Sequence, residues 1–496
     1  MSHYKPDPNK NVTLTIDGLP VTVPEGTRIL EAAREVGVRI PTLCDHPDLC
    51  KRAVCRICVV ECDGRGKLLA ACANDVWEDV SVVTHNARLL SIRKTIIELL
   101  LADHPQECLT CIRSGNCDLQ KLAADFGIRE SFFGQGDSPH NTESETIRRP
   151  PVTENGVLIR DMDKCVKCGR CVEACQEVQS IRAINSSRRG IHYGISAPYG
   201  EALADGPCVF CGQCAGVCPV GAIYEHEQTA EVWAALRDRE SHAVAQFDPA
   251  SSTALNDDLG LPAGTVSPGK TVTALLRLGF AKVYNSQCIV NAITAAENNE
   301  LLSRIEKSRF EKPQLPMITG CSAGVFKFVE DHYPDLTNNL YRYKSPQQIL
   351  RELIDAENLQ GANPDKITIV SVAPCLAQKC KPHSENSSDA PVLTVRELAR
   401  IFTQAGVNFT GLPESPFDTI TEVLKPPLPT PHSPLPEFLT INGFAAARTV
   451  LDSIRRGERN ATGGRDASMV RILGCPHADR PLCPFSGSVN FQANMV

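Results

Sequence analysis

The chain has 496 residues, too many for a single domain and enough for three or four. Its 51 basic and 58 acidic residues leave a net charge of −7, which argues against nucleic acid as a main partner, because phosphate binding needs a basic footprint. The opening residues carry no apolar signal-peptide core, and no run of about 18 apolar residues occurs, so the sequence predicts a soluble, cytoplasmic protein with no membrane contact. The 23 cysteines decide the class. Disulfide frameworks belong to small secreted domains, whereas this cysteine density in a long chain without a signal points to metal.

Taken in chain order, Val12–Ile16 alternates as a strand does, Asp17-Gly18 is a hairpin turn and Pro20–Val23 is the return strand. Thr27 can cap a helix over 28–36, whose apolar residues are Ile29, Leu30, Ala33 and Val36. A hairpin followed by a helix is how a β-grasp ferredoxin begins. Next comes Cys44-x10-Cys55-x2-Cys58-x13-Cys72. A Cys-x2-Cys loop supplies two thiolates from one tight turn, and four converging thiolates suit a [2Fe–2S] cluster. A zinc site, or cysteines packed as small apolar residues, are the alternatives. Cys50 and Cys62 fall outside the pattern and read as structural.

Residues 86–102 carry a helical apolar pattern that leads into His104-x3-Cys108-x2-Cys111-x5-Cys117. Zinc could take this set of one histidine and three cysteines, as could a [4Fe–4S] cluster. Two runs follow, Cys165-x2-Cys168-x2-Cys171-x3-Cys175 and Cys208-x2-Cys211-x2-Cys214-x3-Cys218-Pro219. This is the bacterial ferredoxin pattern twice, in which the fourth cysteine of each run serves the other cluster. The expected sets are therefore Cys165, Cys168, Cys171 with Cys218, and Cys208, Cys211, Cys214 with Cys175. A zinc reading leaves the third cysteine of each run unexplained. No G-x-G-x-x-G after a strand and no Walker A segment occurs, so electrons from a pyridine nucleotide would have to arrive through a partner.

Beyond about residue 235 cysteines become sparse and the pattern turns to α/β. Ile367–Ala373 is a mostly apolar, β-branched run, as suits a parallel strand buried on both faces. Thr394 with Glu397 forms a capping-box pattern at the start of a helix over 394–402. Residues 425–436 hold six prolines and predict an extended linker or loop.

The first cysteine group and its β-grasp opening resemble the N-terminal domain of the complex I large iron–sulfur subunit. The histidine-led group is similar to one in that subunit and in [FeFe]-hydrogenases, where it ligates a [4Fe–4S] cluster. Histidine is neutral where cysteine is anionic, so such a cluster is less negative and its potential higher, other things being equal. The order of these groups, followed by an α/β region, resembles the [FeFe]-hydrogenase large subunit over most of the chain, including Leu259–Val266, Lys270–Phe280 and Val392–Arg400. The resemblance implies a multidomain α+β fold. It would comprise a [2Fe–2S] ferredoxin-like domain over 1–85, a histidine-plus-three-cysteine [4Fe–4S] domain over 86–140, a 2[4Fe–4S] ferredoxin domain over 141–232 and a hydrogenase-like α/β domain over 233–496.

The family's three H-cluster motifs are altered here. T-S-C-C-P-x-W becomes Thr319-Gly-Cys321-Ser322-Ala-Gly-Val325, so Cys321 holds the proton-transfer position and Ser322 replaces a cubane ligand. P-C-x-x-K-x-x-E becomes Pro374-Cys375-Leu-Ala-Gln378-Lys379-Cys380-Lys381; Cys375 keeps a ligand position, while Gln378 and Lys381 replace the lysine and glutamate. Lys379 is a neighbouring substitute that would start from a different direction. The third motif becomes Arg471-Ile-Leu-Gly-Cys475-Pro-His-Ala-Asp-Arg-Pro-Leu-Cys483, with wider cysteine spacing and few glycines. The family's Gly-rich segment after Asp418 is absent. No H-cluster is expected. Cys321, Cys375, Cys475 and Cys483 either hold a plain fourth [4Fe–4S] cluster or line an empty pocket of free thiols, and Cys288 and Cys380 read as structural.

Together these readings predict an electron-transfer subunit of a multisubunit NAD(P)-linked oxidoreductase, carrying one [2Fe–2S] and three [4Fe–4S] clusters in sequence order. Its expected partners are a flavin- and NAD(P)-binding subunit resembling the soluble complex I subunits, and ferredoxin or a separate catalytic subunit. The alternatives are an [FeFe]-hydrogenase with unusual ligation, and a redox sensor or iron–sulfur assembly protein. No side chain stands out for acid–base or nucleophilic catalysis: His332, His383 and His477 are isolated, although His477 lies two residues after Cys475.

Overall fold

The computed structural model describes residue 7 and residues 9–473, apart from 64–67, 131, 134–150, 155, 239, 241, 250, 308–314, 321, 342–344, 357–366, 374, 381–389, 420–437, 443 and 457–468. Cys321, Lys381, His383, Cys475, His477, Cys483 and the proline-rich stretch lie outside the described residues, as does the Cys288 side chain.

In the first module β1 (Asn11–Ile16) and β2 (Leu19–Pro24) pair antiparallel, with Ile16 opposite Leu19. Asp17 and Gly18 alone make the turn, at φ 50° and 82°, the paired positive angles that a two-residue hairpin favours. Then come α1 (Ile29–Glu35), β3 (Val59–Cys62), β4 (Leu68–Ala70) and β5 (Ser81–Val83), closing a sheet in the order β2-β1-β5-β3-β4. α1 turns Ile29, Leu30, Ala32 and Ala33 onto Val12, Leu14 and Ile16. It starts one residue later than the pattern suggested. Arg28 is the N-cap, and the Thr27 hydroxyl donates to the Pro24 carbonyl instead of capping the helix.

α2 (Ala87–Ala102) is capped by Asn86, whose side chain accepts from the Leu89 N–H. The buried Arg93 on this helix donates to the carbonyls of Ile57 and Val59, which fastens α2 to the Cys55–Cys58 loop. α3 (Asp118–Asp125) starts directly after Cys117. The next module holds β6 (Val152–Glu154), β7 (Leu158–Arg160), α4 (Arg170–Glu173), the hairpin β8 (Asn185–Ser187) and β9 (Gly194–Ser196), α5 (Gln213–Gly216) and β10 (Ile223–Glu225), with sheet order β10-β7-β6. Its two short helices start from the same backbone: Lys167 and Phe210 at φ 54°, Gly169 and Gly212 at φ 77°. The repeated cysteine run is therefore also a structural repeat, with two left-handed positions in each turn, the second held by glycine.

The last region comprises α6 (Thr229–Arg237), β11 (His242–Phe247), α7 (Ser251–Asp258), α8 (Pro268–Leu278), β12 (Lys282–Asn285), α9 (Ser286–Lys307), β13 (Met317–Gly320), α10 (Ala323–His332), α11 (Pro346–Ala356), β14 (Ile367–Ala373), β15 (Val392–Thr394), α12 (Val395–Gln404), β16 (Phe438–Asn442), α13 (Phe444–Arg455) and β17 (Met469–Leu473). Two parallel sheets form, β12-β11-β14-β15 and β13-β17-β16. β14 is inner in its sheet and nearly wholly buried, as its apolar run predicted. Thr394 and Glu397 make both bonds of the capping box at α12.

One hydrophobic core crosses these modules. It runs from Leu43 and Ile57 through Ile97, Val209 and Phe210 to Val325, Phe328 and Leu376. The closest approach is at Gly324, in the first turn of α10, where a Cβ would collide with the Val209 carbonyl oxygen and touch Ala377. Gly324→Val is expected to force α10 off the Cys208–Cys211 loop and to cost about 1–3 kcal/mol, as overpacking does. A lowered melting temperature checks it. Gly411→Val, placed where a Cβ meets nothing, is the control that should melt nearly unchanged.

Candidate metal centres

Cys44, Cys58 and Cys72 are buried and Cys55 is half-buried; Cys58 Sγ lies 3.4 Å from Cys72 Sγ, and Cys44 is within hydrogen-bonding reach of Cys55 and Cys72. Cys44 accepts hydrogen bonds from the thiols of Cys55 and Cys72, which draw its pKa down to about 2. Cys58 Sγ is in contact with Cys72 Sγ, and that contact draws Cys58 down to about 7. The donating thiols of Cys55 and Cys72 are pushed up by the same bonds and by burial. The contacts among these sulfurs thus pull Cys44 and Cys58 toward the thiolate, the form that binds metal. Among the two cysteines outside the pattern, Cys62 is buried in the β-grasp core, while Cys50 is exposed.

The two ferredoxin runs interlock. Cys218 lies close enough to Cys165, Cys168 and Cys171 to act electrostatically on all three, and Cys175 does the same to Cys208, Cys211 and Cys214. Each fourth cysteine is thus within electrostatic reach of the first three of the other run, and Cys175 also of Cys171 in its own. Burial pushes these thiols up, Cys165 to about 11 and Cys168 and Cys208 to about 12. They are neutral until a metal displaces their protons.

His104 is held by the backbone of Lys164. The Lys164 N–H already donates to the Asp161 carbonyl, so the imidazole N–H donates to the Lys164 carbonyl. Burial, with the Lys164 ammonium, keeps His104 below its usual pKa and therefore neutral, with its second nitrogen free to ligate. Cys111 and Cys117 are half-buried and close enough to influence one another. Cys108 and the flanking Leu109 are exposed. This segment docks on the end of the second ferredoxin run: Arg113 donates to the Cys218 carbonyl at 2.8 Å and the Asp118 N–H to that of Pro219 at 2.9 Å.

The cysteine groups are not arranged simply in sequence order. Arg170, between Cys168 and Cys171, donates to the Asp45 carbonyl at 2.7 Å, next to Cys44. Arg52 lies against Gly169 and pairs with Glu173 at 3.1 Å. The [2Fe–2S]-type group and the His104 group therefore both abut the Cys165 run. Cys211, in the second run, is within electrostatic reach of Cys375. Among the described residues, no three His, Cys, Asp or Glu side chains close on one point as a single ion would require. A cluster, which puts its own inorganic core between the thiolates, does not require that.

At the altered motifs, Cys375 is half-buried and Ser322 is buried at the N-terminus of α10. Lys379 is committed elsewhere. Its ammonium lies 2.7 Å from the Glu397 carboxylate and donates to the His226 carbonyl, with both side chains almost fully buried. It does not replace the lysine lost at Gln378. Nearby Glu225 is also buried; among the described residues its carboxylate accepts no hydrogen bond, and the Arg400 guanidinium is 3.7 Å off. Burial, then repulsion from Glu397, raises its pKa against the opposing charges of Arg396, Lys379 and Arg400. A carboxyl whose folded pKa exceeds its unfolded one gives stability that is full below the unfolded pKa and lost as pH rises through the folded one. Glu225→Gln is accordingly expected to raise the melting temperature near pH 8 and to have little effect near pH 4.

Lys164, Asp161, Arg170, Arg52 and Arg113 carry much of this geometry, yet no spacing rule singles them out. Their adjacency to cysteines was the one available signal.

Sequence profiles of four families match the chain. These are a 2Fe-2S iron-sulfur cluster binding domain over residues 9–87, the NADH-ubiquinone oxidoreductase-G iron-sulfur binding region over 93–131, a 4Fe-4S dicluster domain over 164–222, and the iron only hydrogenase large subunit, C-terminal domain, over 241–426. The NADP-reducing hydrogenase subunit HndD of Solidesulfovibrio fructosivorans is 38% identical over 423 residues, 82% of this chain and 71% of that protein. Iron hydrogenase 1 of Clostridium pasteurianum is 31% identical, covering 82% of this chain and 70% of its own length. The alpha subunit of the NADPH-Fe(3+) oxidoreductase of Geobacter sulfurreducens is 34% identical over 213 residues, 43% of this chain but 24% of that protein. The chain therefore carries iron–sulfur binding domains of both the 2Fe-2S and 4Fe-4S types. Among the described residues, no helix is long and apolar enough to cross a membrane.

Proposed function

The chain belongs to the family of the iron-only hydrogenase large subunit, and we propose that it serves as the electron-distributing subunit of an NAD(P)-linked complex with no hydrogen chemistry of its own. In this reading Cys44, Cys55, Cys58 and Cys72 hold a [2Fe–2S] cluster. Three [4Fe–4S] clusters are held by His104, Cys108, Cys111 and Cys117; by Cys165, Cys168, Cys171 and Cys218; and by Cys208, Cys211, Cys214 and Cys175. Bound there, such clusters take up and release single electrons.

The residues of the chain bring the sites together. Arg170 and Arg52 clasp the first site to the Cys165 site, and Lys164 and Arg113 clasp the His104 site to it. The arrangement is a fork, with two outer sites meeting one inner site, and the Cys208 site lying between that junction and Cys375. The observation that carries the reading is the closeness of each ferredoxin run's fourth cysteine to the other run, together with altered motifs in which Ser322 and Gln378 stand in place of a thiolate ligand and a cation. The partner is inferred from the relatives' names: a flavin- and NAD(P)-binding subunit on the donor side, and ferredoxin or a separate catalytic subunit beyond. Working in the cytoplasm follows from such partners.

Iron counted on anaerobically purified protein tests the cluster inventory. About 14 irons per chain fit four clusters. About 18 would mean that Cys321, Cys375, Cys475 and Cys483 hold a fifth, whereas two or three metals, with zinc prominent, would sink the proposal.

A further inference from the structure

Lys164 is almost fully buried, an expensive place for an ammonium group. Its Nζ lies 2.8 Å from Asp161 Oδ2, and both side chains are at most 9% exposed. Asp161 is itself fixed, since its N–H donates to the Ala222 carbonyl. The lysine stem and the Cys111 sulfur both face Gly221: a Cβ there would stand 2.9 Å from Cys111 Sγ and 3.6 Å from Lys164 Cδ. The Lys164 carbonyl accepts the imidazole N–H of His104, and the next residue in the chain is Cys165. One residue is thus bonded to His104, next to Cys165 in the chain and across Gly221 from Cys111, side chains assigned to two different cluster sites. An apolar side chain would fill the same space without the desolvation cost of a charge.

Resting on the ligand assignment above, we propose that Lys164 is a positioning residue for the His104 site: its carbonyl fixes the imidazole for ligation, and its ammonium, pinned by Asp161, sets how readily that site accepts an electron. Reduction adds one negative charge at the site, while the donor loses one electron; no bond is made or broken and no proton is required. A cation held in a poorly polarisable interior stabilises that added charge, and its carboxylate partner opposes it. Asp103 contributes little, because it is half exposed and already paired with Lys167 at 3.1 Å.

The test is a redox titration of the anaerobic full-length protein, followed by electron paramagnetic resonance with iron counted on every sample. His104→Cys identifies the signal of this site by lowering its potential. If no signal moves while the iron is retained, the ligand assignment itself is wrong. Lys164→Met is then expected to lower the midpoint of that same signal by a factor of about ten in the reduction equilibrium, about 59 mV for one electron. Asp161→Asn is expected to raise it, and Lys164→Arg to restore it. Shifts of the same sign from Lys164→Met and Asp161→Asn, or no shift from either, overturn the role of Lys164. If Lys164→Met fails to retain iron, Asp161→Asn decides alone: a raised midpoint supports the proposal and an unchanged or lowered one removes it.

Discussion

Protein produced anaerobically together with the hydrogenase maturation enzymes is expected to show no infrared bands of carbon monoxide or cyanide and no hydrogen turnover. The expectation follows from the chemistry of two side chains. Ser322 occupies a position where the family uses a cubane thiolate, and a serine alkoxide is far harder to form than a thiolate; here the residue is buried at the start of α10. Gln378 stands where the family places a lysine against a di-iron cyanide, and a neutral amide leaves that anion unpaired. Lys379, the lysine next to Gln378 in the chain, is held by Glu397 and the His226 carbonyl. Removing a buried charge partner and a metal ligand together should reduce activity by orders of magnitude rather than tune it. Diatomic ligand bands in the sample would instead establish a hydrogenase with unusual ligation.

Lys379→Met should be among the most damaging single changes away from the cysteines. Lys379 and Glu397 form an ion pair with side chains about 1% exposed or less. Glu397 also accepts the N–H groups of Gln228 and Thr394, so it links the turn after Cys375, the segment leading into α6 and the start of α12. Removing one member leaves a buried charge uncompensated, at a cost of about 3–5 kcal/mol. The double variant Lys379→Met with Glu397→Gln should recover a large part of that loss. Denaturant or thermal melts of the three proteins measure it, and a single variant as stable as the parent would show that the pair is dispensable.

The sequence made the cluster modules legible because thiolate ligation imposes spacing. The Cys-x2-Cys-x2-Cys-x3-Cys runs announced a ferredoxin, and the Asp17-Gly18 turn and the Thr394–Glu397 box were readable because each depends on residues a few positions apart. The helix start at Arg28 was misplaced by one residue, because Thr27 can spend its hydroxyl on Pro24 as readily as on a helix amide. What could not be read were the contacts between the cysteine groups. Arg170 reaching Asp45, and His104 reaching Lys164, join residues 125 and 60 positions apart in the chain, and no local pattern encodes such contacts. The fate of Lys379 was equally hidden, since Glu397 lies in a different element whose own capping role gave no hint of a second one.

The collision that any side chain at Gly324 would cause gives the C-terminal region a use independent of any chemistry of its own. Val209 and Phe210, in the loop between Cys208 and Cys211, are roofed by α10 and the turn that follows Cys375. A version of the protein ending near residue 232 would keep every cysteine of the four sites and yet leave that loop open to water and dissolved oxygen. Such a truncated form should lose its clusters in air much faster than the full chain. Selection against that lability would hold the roof in place whatever chemistry goes on beneath it.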